Sequence, residues 1–375
     1  LQGSIPSLNV HLQPISDAAS MIRPANLRGL SADSTLITTN GKRRHHASVI
    51  AFQGGGVNDG SQGADISVIP AIALKRVEVL RDGASAQYGS DAIAGVINFV
   101  LDDISEGGSL SYKMGEYTEG DGATSTIAGK FGMPLGQDGF VTTSFQIRQA
   151  DDTSRSLQRP DAAALIAAGN TAVANPAQIW GAPKIDDDVT FFMNAGVTNS
   201  DGSESYMFGN YSERDVDGGF YYRNPDGRSG VFTIGDYRAV GNVDGTCAYG
   251  TGASGQVDPS NYVTRDAIMA DPSCFLMNEI APGGYTPRFV GTITDTSFTT
   301  GRRGEITDGF LSGYSFDVSG SVGRNEADFG LNNTVNPSMG PDTPRNFTTG
   351  SYIELEKTFN FDLQKQYDSL SVAYG

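Results

Sequence analysis

The sequence predicts an antiparallel, up-and-down membrane β-barrel, incomplete in this chain, preceded by an N-terminal α+β domain. Three observations predict it. A strand, helical turn, strand block lies between Arg76 and Val100; period-two alternation of apolar and polar residues dominates after Asp103; and the connections switch between short and long.

In the first block, Val77, Val79 and Leu80 form a short apolar run closed by Asp82-Gly83, so a strand ends near Arg81. Ala84 to Tyr88 suffice for little more than one helical turn, with Gly89 in the C-terminal capping position. Val96-Ile97-Asn98-Phe99-Val100 extends again. Upstream, Pro70 followed by Ala71 to Leu74 predicts a short helix with Pro at its first position, where the missing N–H costs nothing. Further back stand Asn26-Leu27-Arg28-Gly29 and the strand-and-turn run Leu36-Ile37-Thr38-Thr39-Asn40-Gly41-Lys42-Arg43.

Together these pieces, over residues 26 to 103, resemble the plug domain of TonB-dependent outer-membrane transporters. The resemblance divides the chain into a plug at 1–103, seated in the lumen, and the first part of the barrel at 104–375. It also implies that the plug loops after the Arg-Gly element and after the Asn-Gly turn face the outside and contact substrate. That carries over to Arg28 and to the stretch Lys42 to Asn58, with Lys42, Arg43, Arg44, His45, His46, Gln53 and Asn58 as the candidate contacts.

After Asp103 the helical signals stop. Leu110, Tyr112 and Met114 alternate with Ser111, Lys113 and Gly115, and Tyr314, Phe316, Val318, Gly320 and Val322 interleave with Ser315, Asp317, Ser319 and Ser321. In a barrel the apolar set faces lipid and the polar set faces the lumen or the plug; the sequence by itself does not exclude the reverse. Strands are expected near 109–117, 124–133, 140–149, 188–197, 204–213, 296–305, 313–323, 351–361 and 369–375. The short connections 134–139, 198–203, 306–312 and 362–368 carry Gly, Asp or Ser turn residues. The stretches 150–187, 214–295 and 324–350 are long and fall on one side, as extracellular loops do in outer-membrane barrels, while the first connection, 118–123, is short.

About nine strands fall short of the roughly twenty-two that close plugged outer-membrane transporters. An open edge is not tolerated in a bilayer, so further strands are expected elsewhere. Leu1 opens without an initiator Met, a basic n-region or an apolar h-region, so a signal peptide and the segment that recruits the periplasmic energiser are expected ahead of it.

Composition narrows the function classes. With 43 acidic against 26 basic residues and a formal net charge of −17, nucleic acid is excluded as a partner. No apolar run approaches the length of a membrane helix, which leaves a barrel as the route across lipid. Three His residues, His11 isolated among them, and the absence of HExxH and GxSxG leave no catalytic constellation, so no enzyme is expected.

Cys247 and Cys274 share the longest predicted extracellular loop, where an oxidising compartment favours a disulfide. Its closure is worth roughly 3 to 4 kcal/mol of loop entropy. A metal site is the weaker reading because neither Cys has a second thiol or His nearby, and two free thiols are the remaining alternative. Gly54-Gly55-Gly56 lacks the Lys-Ser or Lys-Thr of a P-loop and reads as flexible loop. Asp186-Asp187-Asp188 and Asp215-Val216-Asp217 lack the spacing and terminal Glu of an EF-hand, so calcium is not expected. Trp180 fits an interfacial aromatic belt or packing within a loop.

His45-His46, after Lys42-Arg43-Arg44, is the one cluster with ligand chemistry. On a loop the two imidazoles could meet a bound metal complex; on a strand they point to opposite faces, and a solvated polar loop is the plainer reading. The three cations suit an anionic ligand such as a ferric siderophore, an acidic sugar or a peptide. No cofactor or resident metal is expected, and an iron chelate would be substrate. The resemblance implies energy-coupled uptake of a scarce solute across the Gram-negative outer membrane, with outer-membrane lipids and a TonB-type protein and its inner-membrane motor as partners. A surface lipoprotein is a further partner left open. A passive porin and a surface adhesion or assembly protein are the alternatives.

Overall fold

A computed structural model describes residues 5–10, 21–51, 56–249, 257–367 and 370–374. In the N-terminal region β1 (Leu8–Val10) pairs with β2 (Ala25–Leu27). A separate four-stranded sheet follows the order β4 (Lys42–Arg43), β3 (Thr35–Thr39), β6 (Gly95–Leu101) and β5 (Leu74–Leu80). Its β3 and β6 run parallel, whereas β5 is antiparallel to β6.

Local sequence explains these elements. Asn40 and Gly41 both have positive φ, 49° and 78°, the pair that a tight hairpin between β3 and β4 requires. The helix α1 (Ser85–Tyr88) stops at Gly89, whose φ of 91° only glycine adopts freely. The short helix expected at 71–74 is a single 3₁₀ turn, Ala71–Ala73, because Leu74 is drawn into β5, where it pairs with Leu101.

The rest of the chain builds one antiparallel nine-stranded sheet in which every strand pairs with its sequence neighbours. Its first members are β7 (Gly108–Gly115), β8 (Thr124–Pro134), β9 (Gly139–Ala150), β10 (Lys184–Thr198) and β11 (Glu204–Gly219), with helix α2 (Pro160–Ala167) between β9 and β10. The longest connection, 220–287, carries the two-residue strands β12 (Thr233–Ile234), β13 (Tyr237–Arg238), β14 (Gly241–Asn242) and β15 (Cys274–Phe275) and the helices α3 (Tyr262–Met269) and α4 (Met277–Ile280). Then come β16 (Arg288–Ile306), β17 (Tyr314–Asn332), β18 (Phe347–Tyr367) and β19 (Leu370–Tyr374). The edges β7 and β19 do not pair with each other, so these nine strands are a partial barrel.

The strands run further than alternation alone suggests. β16 and β17 have 19 residues each and β18 has 21, about twice what a bilayer crossing needs. As a result the long connections shrink from 150–187, 214–295 and 324–350 to 151–183, 220–287 and 333–346, and the turn expected at 362–368 is strand as far as Tyr367. Past the lipid-facing band the outer face turns polar while apolar residues face the plug, as Asp215 and Asp217 flank the buried Val216 and Glu326 and Asp328 flank the buried Ala327, so the apolar-out pattern is lost while the backbone ladder continues.

The choice of faces is resolved as well. Leu110, Tyr112, Met114, Phe298, Val322, Phe359 and Phe361 are exposed on the outer face. Ser319 and Asn325 point inward and are buried. On that inner face sits the N-terminal region. Leu27, Ile37 and Phe99 pack with Phe192 and Phe208 of the wall, and higher up Met21, Ile22, Ala47 and Val49 pack with Val216, Ile293, Ala327 and Phe329. Trp180 stacks edge-on against Tyr221, 6.3 Å between centroids, and so packs within the loops.

Candidate functional site

From the Asn40-Gly41 hairpin the chain climbs the inner wall, and its side chains bond to one strand after another. Asn40 Nδ2 donates to Asn194 Oδ1 (3.3 Å). Lys42 Nζ lies 3.1 Å from Asp317 and 3.3 Å from Asp362, and the Tyr206 hydroxyl donates to the same Asp317 at 2.7 Å. Arg43 turns the other way, toward Asp91 and the carbonyl of Tyr88 in its own domain.

Asp295 of β16 is the centre of the contact. One carboxylate oxygen accepts from Arg44 and from Asn210 Nδ2 (2.9 Å); the other meets His45 Nε2 (2.9 Å) and accepts from Asn325 Nδ2 (3.0 Å). Arg44 also donates to Asn210 Oδ1 (2.8 Å) and Ser297 Oγ (3.2 Å). The Asp295, Arg44 and His45 side chains are each at most 4% exposed. A buried charge is tolerable only when its hydrogen-bonding capacity is filled, and this one is filled from both sides of the contact. Gly323 makes the close approach possible, since a Cβ there would lie 2.2 Å from the His45 ring.

Above this centre, His46 donates its backbone N–H to Glu356 Oε1 (2.7 Å), and its ring Nδ1 lies 2.6 Å from the same oxygen. That hydrogen bond is the main reason the His46 pKa is raised above its ordinary value, against the opposing effect of burial. The Ser48 backbone N–H and hydroxyl both donate to Asn325 Oδ1, and Gln62 Nε2 donates to Glu354 at 3.1 Å. A second buried pair crosses the contact in the opposite sense: Arg214 of the wall reaches Asp65 (2.9 Å) and the carbonyl of Met21 (2.6 Å).

The sequence-predicted residues are thus placed as follows. Lys42, Arg44, His45 and His46 meet wall carboxylates, and Arg43 meets a carboxylate of its own domain. The two imidazoles go to different carboxylates, 295 and 356, and hold no common metal position. Among the described residues no group of three His, Cys, Asp or Glu could hold a metal ion. Arg28 is exposed, with φ of 59° and Asp82 at 3.4 Å. Asn58 is buried and committed inside the domain, exchanging amide hydrogen bonds with Asn26 and accepting from the Ala32 N–H. Gln53 lies outside the described residues. Cys247 and Cys274 are joined as a disulfide. Sequence reasoning missed the wall partners Asn210, Arg214, Asp295, Asn325 and Glu356; the available signal was their inward register on strands, visible only once the strand bounds are known.

The family model for the TonB-dependent receptor plug domain matches residues 1–96. Residues 1–96 are a TonB-dependent receptor plug domain. The match ends inside β6, and the seam described above is the contact of this plug with the barrel wall. Curated relatives include the ferric enterobactin receptor of Pseudomonas aeruginosa, 31% identical over 97 residues, which is 26% of this chain and 13% of the relative. Another is a probable TonB-dependent siderophore receptor, PirA, of Acinetobacter baumannii, 31% identical over 96 residues, 26% of this chain and 12% of the relative.

Among solved structures, a mutant of the P. aeruginosa ferric enterobactin receptor in complex with enterobactin superposes with a TM-score of 0.51 at 15% identity, over 96% of this chain and 43% of that one. The A. baumannii siderophore receptor PirA superposes at 0.53 and 15% identity, over 96% of this chain and 41% of its own. The fold is therefore that of a TonB-dependent receptor, a plug with part of its barrel, and the chain spans less than half the length of these relatives.

Proposed function

We propose that this chain is the plug and leading barrel wall of an energy-coupled importer in the outer membrane of a Gram-negative bacterium. It takes up a scarce solute, a ferric siderophore or another nutrient such as a glycan or peptide, and carries out no bond chemistry. The plug, residues 1–103, closes the lumen, and a TonB-type protein driven by its inner-membrane motor rearranges it when the outer face is loaded.

The observation that carries this reading is the chemistry of the contact between plug and wall. Alongside two apolar clusters, it is built from ion pairs and amide hydrogen bonds centred on Asp295, Glu356 and Asp65. Groups of this kind exchange one partner for water at modest net cost when the contact opens, whereas a continuous apolar interface would expose all of its area to water. Such a contact suits a stopper that must be held and then released. The names of the relatives make ferric siderophores the first substrates to try.

Uptake of a panel of ⁵⁵Fe-labelled siderophores by cells producing the full-length protein tests the proposal. Accumulation abolished by a protonophore supports it. Uptake indifferent to the proton gradient would identify a passive pore instead, and binding without accumulation an adhesion or assembly protein.

A further inference from the structure

One carboxylate of the wall is buried beside the plug with its hydrogen-bonding capacity unfilled. It belongs to Asp188, the last of the Asp186-Asp187-Asp188 run, which faces inward while Asp186 and Asp187 are exposed. The Asp188 side chain is 4% exposed, and its Oδ2 lies 3.9 Å from Arg148 Nη1, beyond hydrogen-bonding distance. Its Oδ1 has no hydrogen-bond partner among the described residues. Buried carboxylates normally have such partners, so this one calls for an explanation.

A donor stands next to it. Arg214 of β11 is the direct cross-strand partner of Asp188, as Arg148 of β9 is on the other side. In antiparallel strands such neighbours hold their Cβ atoms about 5 Å apart, close enough for an arginine to reach an aspartate by side-chain rotation alone. Arg214 is instead turned to the plug, where it donates to Asp65 Oδ2 (2.9 Å), the Met21 carbonyl (2.6 Å) and Ser67 Oγ. Arg23 of the plug lies within electrostatic reach of both aspartates and adds a third guanidinium to this pocket of charge.

We propose that Asp188 is the receiving partner of Arg214: when the plug leaves, the guanidinium passes from Asp65 of the plug to Asp188 of the wall. The closed state keeps one carboxylate underused. The open state takes three acceptors from Arg214 at once and restores a charge-assisted hydrogen bond in their place. Both effects narrow the free-energy gap between closed and open. Asp295 has no such provision, since its cationic partners, Arg44 and His45, both leave with the plug. The inference rests on the transport reading, in which the plug must be released.

The test is hydrogen exchange of plug residues 21–23 and 64–68 in the purified full-length protein, in detergent and without an energy source, where it reads spontaneous opening of this part of the seam. Asp188→Asn keeps the shape of the side chain and removes its charge. With the open state short of its receiving partner, exchange is expected to slow about fivefold. A carboxylate that merely held the wall together would give the opposite sign. Arg214→Gln is expected to speed exchange, and in that background Asp188→Asn is expected to bring no slowing. In a crystal structure of the full-length Asp65→Asn protein, Arg214 is expected within hydrogen-bonding distance of Asp188.

Faster or unchanged exchange in Asp188→Asn, slowing that persists without Arg214, or an Arg214 that stays away from Asp188 in the Asp65→Asn protein would overturn the transfer, even if energised uptake were found. Slowing that depends on Arg214, together with uptake indifferent to the proton gradient, would keep the transfer and reject the importer.

Discussion

Arg44 of the plug and Asp295 of β16 form a buried ion pair, 251 positions apart in sequence and each 3% exposed. Around it the plug contributes His45 and the wall contributes Asn210 and Asn325, so that one carboxylate joins the plug to strands β11, β16 and β17. Removing one partner of such a pair leaves the other charged, buried and unmatched. Asp295→Ala is therefore expected to destabilise plug seating by about 3–5 kcal/mol. Limited proteolysis should then cleave the plug of the variant while its barrel keeps the heat-modifiable gel migration of a folded barrel. A plug as resistant as the parent's would reject this role for Asp295.

The His46–Glu356 contact carries a pH dependence whose sign follows from the direction of the His46 shift. Its pKa is raised above the ordinary 6.5 by the hydrogen bond to Glu356. The protonated form is thus favoured in the seated plug, and the contact's contribution is fully present below pH 6.5. It is lost as pH rises through the raised value. Plug seating, read as hydrogen exchange of residues 42–49, should loosen over that window, and His46→Gln should flatten the response. An NMR titration of His46 with a midpoint at or below 6.5 would contradict it.

Gly323 is the wall position that lets His45 reach Asp295, because a Cβ there would lie 2.2 Å from the His45 ring. Gly323→Ala should force the imidazole away at a cost of about 1–3 kcal/mol, the range for overpacking a filled interior. Hydrogen exchange at residues 44–48 should accelerate in this variant. Unchanged exchange would mean that the wall yields and that the close approach is not needed.

The Cys247–Cys274 link closes a sequence separation of 27 within the 220–287 connection and sits in a small cluster with Val257, Ile268 and Leu276. Replacing both cysteines with Ser is expected to loosen that loop by roughly 3–4 kcal/mol and make it a protease target, with barrel unfolding unchanged. Equal loop cleavage with and without the link would show that apolar packing alone holds it.

How much of this was legible from the sequence depends on how far apart the interacting residues lie. The hairpin at Asn40-Gly41, the stop at Gly89 and the β6 run Val96 to Val100 are local, set by backbone preference within a few residues, and they stand where the sequence places them. Lys42 to His46 stand out in the sequence as candidate substrate contacts, and in the structure their side chains are taken up by carboxylates of the wall and of the plug. The wall partners do not stand out: Asp295, Asp317 and Glu356 lie hundreds of positions away, and only the strand register makes them face inward. The amide of Asn58, another of those candidates, is paired with Asn26, again a long-range contact. Strand lengths were underestimated because apolar-out alternation marks only the lipid-facing band, while along Arg288 to Thr294, which pair with β11, the apolar Phe289 and Ile293 face the plug instead.

The central claim is that the plug is a separable stopper held in a barrel that would otherwise conduct. Planar-bilayer conductance of the full-length protein, with and without residues 1–103, tests it most directly. The intact protein should be closed, and the deleted one should fold and pass small ions and solutes without selectivity. A deleted protein that fails to fold, or that folds and stays closed, would contradict the account.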